Sequence, residues 1–171
     1  LSVCINLASS QLVDDGLAAR CAEIVGRFGV PFPSFTFEVA EQDLTDPAAP
    51  HLRTLKTLRD VGFRLCLDHF QVAAASLGTM EQLPFDEIKI HASAIRRAQD
   101  DPVRQKVLAA IIGLAHSLDM TVCAEGIEDE ETFQFLKTVQ CDKMQGFLIS
   151  EAVMPKLLRR FYGPGSSEAV A

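Results

Sequence analysis

The chain has 171 residues, of which 48% are hydrophobic and 23% are charged, which is enough apolar material for one domain around a single core. Its net charge of −7 excludes the basic footprint of a sequence-independent nucleic-acid binder, so we expect no nucleic-acid partner. No apolar run approaches the length of about 18 residues that a membrane-spanning helix needs, so we expect no membrane segment in this chain.

The cysteines indicate a reducing compartment. They are five in number, scattered, and without a C-x-x-C pair. Three of them, Cys4, Cys66 and Cys123, fall inside apolar strand-like runs. We therefore expect buried, reduced thiols that pack as small hydrophobic side chains, and a cytoplasmic location.

Short apolar runs alternate with amphipathic segments along the chain. In order, the patterns predict strand 2–7, helix 14–29, strand 34–40, helix 48–62, strand 63–70, strand 87–92, helix 100–119, strand 121–127, helix 129–140, strand 144–149 and helix 154–163. In the helix 100–119, apolar residues recur at helical spacing and predict its apolar face: Val103, Val107, Ile111 and Leu118. The tail 163–171 has the composition of a disordered end.

The alternation of strands and helices predicts an α/β fold with a parallel sheet. The strand runs are almost continuously apolar, as expected for parallel strands that are covered on both faces. Two architectures are compatible with this pattern, an open doubly wound sheet and a (β/α)8-type barrel. No G-x-G-x-x-G or G-x-x-x-x-G-K-[ST] follows a strand, which disfavours the nucleotide-cofactor versions of the open sheet.

Each apolar run delivers a polar side chain at or near its carboxyl end. The residues are Asn6, Glu38, Asp68, Lys89, Glu125 and Gln145. Parallel barrels gather their chemistry at this end of the strands. Carboxylate and amide oxygens without clustered Cys or His suit a hard divalent cation, and a neighbouring Lys suits a phosphate or a water. The pattern therefore predicts one converging polar site.

The segments around these positions resemble a known family. In chain order they are INLASSQL, FEVAEQDL, LDHF, LPFDEIKIH, AEGIEDEETFQFL and CDKMQGFLIS. They are similar to N-L-S, E-x-T-E, D-D-F-G, L-P-x-D-x-x-K-I-D, A-E-G-V-E and Q-G-Y of the EAL domain family, metal-dependent phosphodiesterases of cyclic di-GMP signalling. The resemblance extends over about residues 1–150 and implies a (β/α)8-type EAL barrel, incomplete here because about six β-α units are visible.

The resemblance also implies a role for each matching residue. Lys89 and Glu125 match catalytic positions, and Lys89 stands where the family contacts water and phosphate. The positions that match metal ligands are Asn6, Glu38, Asp68 and Glu125. Three further residues match a supporting loop or neighbouring positions, namely Glu41, Glu128 and Gln145.

Two positions depart from the family pattern. His69 replaces the second Asp of D-D-F-G, a ligand of the second metal ion, and His91 replaces the Asp of K-I-D. Imidazole suits Mn²⁺ or Zn²⁺ better than Mg²⁺, so a repurposed metal site is one interpretation. Drift after loss of catalysis is the other, and it is the one that we favour.

These observations lead to two functional hypotheses. The first is a degenerate, non-catalytic domain over residues 1–162, without its N-terminal strands and E-x-L segment, that acts as a regulatory or protein-interaction module. The second is an active phosphodiesterase that uses Mg²⁺ or Mn²⁺ and produces linear pGpG once such a segment is present. The first implies a protein partner and no bound cofactor. It leaves open whether the chain binds cyclic di-GMP and whether it forms a homodimer.

Overall fold

The computed structural model describes residues 2–44, 51–70 and 85–158, which form one parallel sheet with helices beside it. The strands are β1 (Val3–Asn6), β2 (Phe35–Ala40), β3 (Arg64–Phe70), β4 (Glu87–Ile90), β5 (Thr121–Glu125) and β6 (Lys143–Gln145). The helices are α1 (Ser9–Leu12), α2 (Leu17–Arg27), α3 (His51–Val61), α4 (Ala92–Ala98), α5 (Pro102–Ser117) and α6 (Glu130–Thr138). Short 3₁₀ turns lie at Phe32–Ser34, Glu41–Leu44 and Pro155–Leu157.

The strand order decides between the two predicted architectures. Every pair of neighbouring strands is parallel, and the order in the sheet is β1-β2-β3-β4-β5-β6. A doubly wound sheet would reverse this order at a switch point, whereas a barrel keeps it. Among the described residues, β1 and β6 each pair on one side only, so the sheet is an incomplete barrel wall. The predicted fold is thus confirmed.

One face of the sheet is apolar and packs under the helices. Side chains alternate along a strand, so Phe37, Leu65 and Ile88 point to one side. They are buried in the core together with Leu55 and Leu58 of α3. The burial of this face holds the helices against the sheet, at roughly 1.5–3 kcal/mol for each large apolar side chain.

The opposite face is polar. Glu38 is in register with Cys66, Cys66 with Glu87, and Lys89 with Cys123. Cys66 and Cys123 are buried as predicted, and burial raises the pKa of the Cys123 thiol to about 12. The prediction was wrong for Cys4, which is exposed because β1 lies at the edge of the sheet. All the cysteines are free thiols.

Two aspartates brace the amino ends of neighbouring strands. Asp86, just before β4, accepts a hydrogen bond from the backbone N–H of Leu65 in β3 at 2.9 Å. Asp142, just before β6, accepts one from the backbone N–H of Val122 in β5 at 2.7 Å. His116 Nε2 lies 2.9 Å from the same Asp142 oxygen. These motif residues therefore support the sheet at the end remote from the predicted site.

Several predicted boundaries and faces were wrong. The strand predicted at 87–92 ends at Ile90, because the chain turns into α4, a helix that the sequence pattern did not predict. Of the four residues predicted for the apolar face of α5, Ile111 is buried, whereas Val103, Val107 and Leu118 are exposed at 69%, 41% and 39%. The other buried residues of this helix are Leu108, Ile112 and Ala115. This helix is apolar on most sides, so spacing alone did not identify its buried face.

The last predicted strand, 144–149, is also shorter than expected, since β6 ends at Gln145. After Gly146 the backbone turns, with Ile149 N–H bonded to Gly146 O at 3.1 Å. The end of the predicted helix 154–163 and the predicted tail 163–171 lie outside the described residues. Among the residues that the structure describes, every helix is too short or too polar to cross a bilayer.

Gly146 lies where two backbone segments touch. A Cβ placed on it would stand 2.1 Å from the carbonyl oxygen of Ile127. Backbone hydrogen bonds of 3.1 Å, from Ile127 N–H to Gln145 O and from Leu148 N–H to Ile127 O, hold the two segments together on either side of the glycine. No side chain fits at this position without breaking that contact.

We expect Gly146→Ala to lower the free energy of unfolding by about 1–3 kcal/mol, because the added methyl group forces the backbones apart. Gly113→Ala is the matched control, since a Cβ there meets no atom within 4 Å inside α5. It should raise stability by about 0.5–1 kcal/mol. Urea unfolding of both variants measures the difference. If both variants are as stable as the wild type, the backbone contact at Gly146 leaves room for a methyl group.

Candidate functional site

A bulge shapes the carboxyl end of β3. The register between β3 and β4 shifts between Leu67 and Phe70, and His69 there adopts a left-handed φ of 57°. Asp68 and Phe70 are buried, while the His69 side chain is 57% exposed. A bulge re-aims side chains beside a site. Here it turns the His69 ring back towards the Asp68 carboxylate.

The Asp68 carboxylate contacts His69 through both of its oxygens. Its Oδ1 accepts the backbone N–H of His69 at 2.8 Å, and its Oδ2 lies 2.9 Å from His69 Nδ1. An ionised carboxylate only accepts hydrogen bonds, so His69 Nδ1 carries a proton. In the neutral ring, the free lone pair is therefore on Nε2.

His91 caps the start of α4 with its side chain. Its Nδ1 accepts the backbone N–H of Ser93 at 3.2 Å and lies 2.9 Å from Ser93 Oγ. A backbone N–H only donates, so the proton of the neutral His91 ring is on Nε2. The ring stacks on His69 with centroids 5.1 Å apart and 27° between the planes.

Lys89 links two carboxylates on the polar face. Its Nζ lies 2.7 Å from Glu125 Oε1 and 3.1 Å from Glu38 Oε1. Burial alone would lower the pKa of Lys89, but the hydrogen bond and charge of Glu125, with those of Glu38, outweigh it and raise the pKa above its usual value. Lys89 therefore stays an ammonium ion at neutral pH.

The remaining predicted residues flank this cluster. Asn6 is in register with Glu38, and Gln145 is in register with Glu125, so both stand at the same end of the sheet, exposed. Glu41 opens the turn after β2, and Glu128 is exposed in the turn after β5. The structure thus brings together Glu38, Lys89 and Glu125 in one group, and Asp68, His69 and His91 in another.

Gly126 explains the bend that follows Glu125. Its φ is +70°, and a Cβ there would lie 2.4 Å from the Cβ of Ala92 in α4. Only glycine combines this conformation with such a close approach. The bend lets β5 end against α4, so Glu125 and His91 reach the same rim of the sheet.

Sequence reasoning missed Glu87. Its buried carboxylate lies 2.5 Å from Lys143 Nζ, and Thr121 Oγ1 donates to it at 3.4 Å. The signal was present, because Glu87 and Lys89 are two residues apart in an apolar strand and so share a face. Glu87 belongs to a lower, structural layer of the polar face.

The oxygen donors at this rim are of the type that hard divalent cations prefer. Asn6, Glu38, Asp68 and Glu125 supply the oxygens that Mg²⁺ and Mn²⁺ prefer. Glu38 Oε1 is buried without a well-aligned hydrogen-bond donor, although Lys89 is within ion-pair distance, so it has spare acceptor capacity. As the side chains stand, no three His, Cys, Asp or Glu residues of the described ranges converge closely enough to hold a metal ion.

A second cation does not fit. His91 has no free lone pair, because Nδ1 accepts from Ser93 and Nε2 carries the proton. Asp68 accepts one bond from His69 on each oxygen and keeps acceptor capacity for one cation, not the charge to neutralise two. Of the two imidazoles, only His69 offers a lone pair, on Nε2, and one neutral donor does not replace two carboxylates.

A comparison with protein families decides the identity of the domain. The family model described as "EAL domain" matches residues 1–152. The chain belongs to the EAL domain family. The matched range of this EAL domain includes all the strand-end residues described above, from Asn6 to Gln145.

Similar proteins support the assignment. The domain is 28% identical over 158 residues to the cyclic di-GMP phosphodiesterase PA2567 of Pseudomonas aeruginosa, covering 92% of this chain and 27% of that protein. It superposes on the EAL domain of Mycobacterium smegmatis DcpA with a TM-score of 0.86 and 28% identity, covering 94% of this chain and 72% of that one. The chain spans about a fifth to a quarter of the length of the curated relatives it matches.

A further structure contains a metal and a dinucleotide. Klebsiella pneumoniae BlrP1, solved as a manganese and cyclic di-GMP complex, matches with a TM-score of 0.79 and 26% identity, over 86% of this chain and 38% of that one. The domain is thus an EAL domain of the kind found in cyclic di-GMP signalling proteins.

Proposed function

We propose that this EAL domain does not hydrolyse cyclic di-GMP and instead acts as a regulatory module that passes the signal to a protein partner. The observation that carries the proposal is the Asp68–His69–His91 arrangement. Asp68 is hydrogen-bonded to His69, and His91 accepts a hydrogen bond from Ser93 through Nδ1, so two imidazoles stand beside the single Asp68 carboxylate. The carboxylates that the family resemblance implies at positions 69 and 91, for a second metal ion, are therefore absent.

The electrostatic cost of two cations supports this proposal. Two divalent ions about 4 Å apart repel by on the order of 16 kcal/mol at an effective dielectric constant near 20. Carboxylates at positions 69 and 91 would offset part of that repulsion, whereas neutral imidazoles do not. A two-ion hydrolytic site is disfavoured for this reason.

The protonation state of Lys89 also supports the non-catalytic proposal. Its pKa is raised, so at neutral pH it holds its proton and does not accept one from water. Its ammonium group can donate to a phosphate, a role in binding rather than in water activation. Lys89 is therefore not the group that would take a proton from water in this site.

A specific observation favours the second candidate, an active phosphodiesterase that uses Mg²⁺ or Mn²⁺. Glu38, Lys89 and Glu125 are assembled on the polar face with Asn6 in register beside them. This group would hold one divalent cation, which would lower the pKa of a bound water. This group lacks the carboxylates that the resemblance implies at positions 69 and 91.

Hydrolysis of cyclic di-GMP tests the proposal directly. The longest polypeptide that contains this chain is incubated with cyclic di-GMP and Mn²⁺ or Mg²⁺, with PA2567 as the positive control. We expect no linear pGpG above the background without protein, measured by chromatography. Turnover comparable to that of PA2567 would overturn the non-catalytic proposal in favour of the phosphodiesterase.

A further inference from the structure

A cavity of about 340 Å³ lies between α4, α5 and α6, and none of the strand-end residues described above lines it. Part of its lining is apolar. Ile95 and Ala98 of α4 and Leu108 of α5 are buried around it, and Phe135 of α6 also lines it. A space with such a lining suits the methylene part of a long side chain.

The charged part of the lining is acidic. Asp100, Asp129 and Glu131 contribute three carboxylates, and no Lys or Arg of the described residues lines the cavity. Asp100 and Glu131 are exposed, and within the described ranges neither side chain forms an ion pair. A cavity that combines carboxylates with apolar surface attracts a cation that carries an apolar stem.

The side-chain donors of the lining are largely used within the protein. Gln99 Nε2 donates to Asp129 Oδ2 at 2.7 Å and to Thr132 Oγ1 at 2.8 Å. Gln105 Nε2 donates to the backbone oxygen of Gln99 at 3.1 Å. The lining therefore has more free acceptors than free donors, and an occupant that supplies donors complements it.

An anion is a poorer occupant, although α5 and α6 both begin beside the cavity. Free N–H groups at a helix start can bind an anion. Here Asp101 accepts the N–H groups of Val103 and Arg104, and Asp129 accepts the N–H group of Thr132. These caps occupy the donors that an anion would need, and the carboxylates of the lining would repel it.

We propose that this cavity is a docking site for an arginine side chain of a protein partner. Its methylene groups would pack on Ile95 and Leu108, and its guanidinium group would pair with the carboxylates of Asp100 and Glu131. Arginine fits better than lysine, because a planar guanidinium binds carboxylate oxygens in pairs and stacks on an aromatic ring such as that of Phe135. The proposal deepens the proposed function by naming the chemistry of the partner, and it rests on that function for the existence of one.

The position of the cavity suits a regulatory contact. α4 begins at its cap His91, beside the rim of the sheet, and ends at Ala98 in the cavity lining. Gln99, directly after α4, is bonded to Asp129 in the turn that follows Glu125 of β5. A partner held in the cavity therefore contacts the segments that follow two strands of the site.

Calorimetric titration of short peptides into the longest polypeptide that contains this chain tests the inference. The probe is the tripeptide leucine-arginine-leucine, acetylated and amidated, and we expect it to bind with a Kd of about 1 mM or tighter. A matched peptide with citrulline in place of arginine keeps the shape but loses the positive charge. It should bind at least about fivefold more weakly. The lysine peptide should be about two- to fivefold weaker than the arginine peptide.

A double variant of the chain tests the two carboxylates. Asp100→Asn with Glu131→Gln keeps the shape of both side chains and should weaken the arginine peptide at least about fivefold, while it leaves the citrulline peptide within about twofold. Asp60→Asn with Glu151→Gln is the matched control, because it removes two exposed carboxylates that do not line the cavity. Thermal unfolding checks that both double variants fold.

Three results would overturn the inference: equal affinity for the arginine and citrulline peptides, equal binding of the arginine peptide by the wild type and Asp100→Asn with Glu131→Gln, or no binding up to about 10 mM peptide. Free arginine should bind more weakly than the blocked peptide, because its own carboxylate meets the acidic lining. Tighter binding of free arginine would make the cavity a small-molecule site and the docking inference wrong. These titrations contain no cyclic di-GMP, so turnover in the hydrolysis assay removes the proposed function without changing them, and the two failures are distinguishable.

Discussion

Lys89→Met should lower the free energy of unfolding by about 3–5 kcal/mol, because it leaves buried carboxylates without their counter-charge. Glu38 is 5% exposed, and the Glu125 side chain is 20% exposed. Lys106→Met is the matched control, since Lys106 is exposed on α5, and it should change stability by less than about 0.5 kcal/mol. Guanidinium unfolding at neutral pH measures both variants.

The direction of the Lys89 pKa shift determines how the stability difference between the wild type and Lys89→Met depends on pH. The pKa of Lys89 is raised in the folded chain above the unfolded value of about 10.5. Its contribution to stability is therefore fully present below that unfolded value and is lost as the pH rises through the folded pKa. The difference between the wild type and Lys89→Met should be constant from about pH 6 to 9. A difference that shrinks within this window would contradict the role given to Lys89.

The double substitution His69→Asp with His91→Asp should raise the number of bound manganese ions from one to two per chain. It supplies two carboxylates where imidazoles now stand, and these offset the repulsion between two cations. The backbone tolerates both changes, because aspartate adopts a left-handed φ such as the 57° of His69 more readily than most residues and also caps helices well.

Equilibrium dialysis with Mn²⁺ measures the count, and the tighter of the two sites should strengthen at least about tenfold, or 1.4 kcal/mol. Ser117→Asp is the control, as it adds a carboxylate at the end of α5, just before β5 begins and so at the opposite end of the sheet from the site. If the double variant binds no more manganese than the wild type, the imidazoles are not what limits metal binding.

The sheet was predictable because its cause is local. Apolar strand runs and intervening helices dictate a parallel sheet, and the polar residue at the end of each run indicates which rim of the sheet is polar. Which side chains contact each other at that rim depends on how residues distant in the sequence are arranged. The bulge that turns His69 towards Asp68 requires the register of β3 on β4, which a single strand does not reveal.

The missed features have the same origin. The role of His91 at the start of α4 depends on the chain turning after Ile90, and the apolar character of the HASAI segment did not separate that turn from a longer strand. The short β6 follows from contact between Gly146 and Ile127, a pair far apart in the chain. Glu87 was visible by its alternation with Lys89, but its partner Lys143 lies on β6, two strands away in the sheet.

Asp86 and Asp142 separate the stability of the sheet from the chemistry of the site. They tie neighbouring strands together at the amino ends, whereas His69 and His91 stand at the carboxyl ends. Exchange of a carboxylate for an imidazole at the carboxyl ends leaves those two ties intact. A gene that encodes this arrangement can accumulate changes in its chemistry while selection on the shape of the protein continues undisturbed.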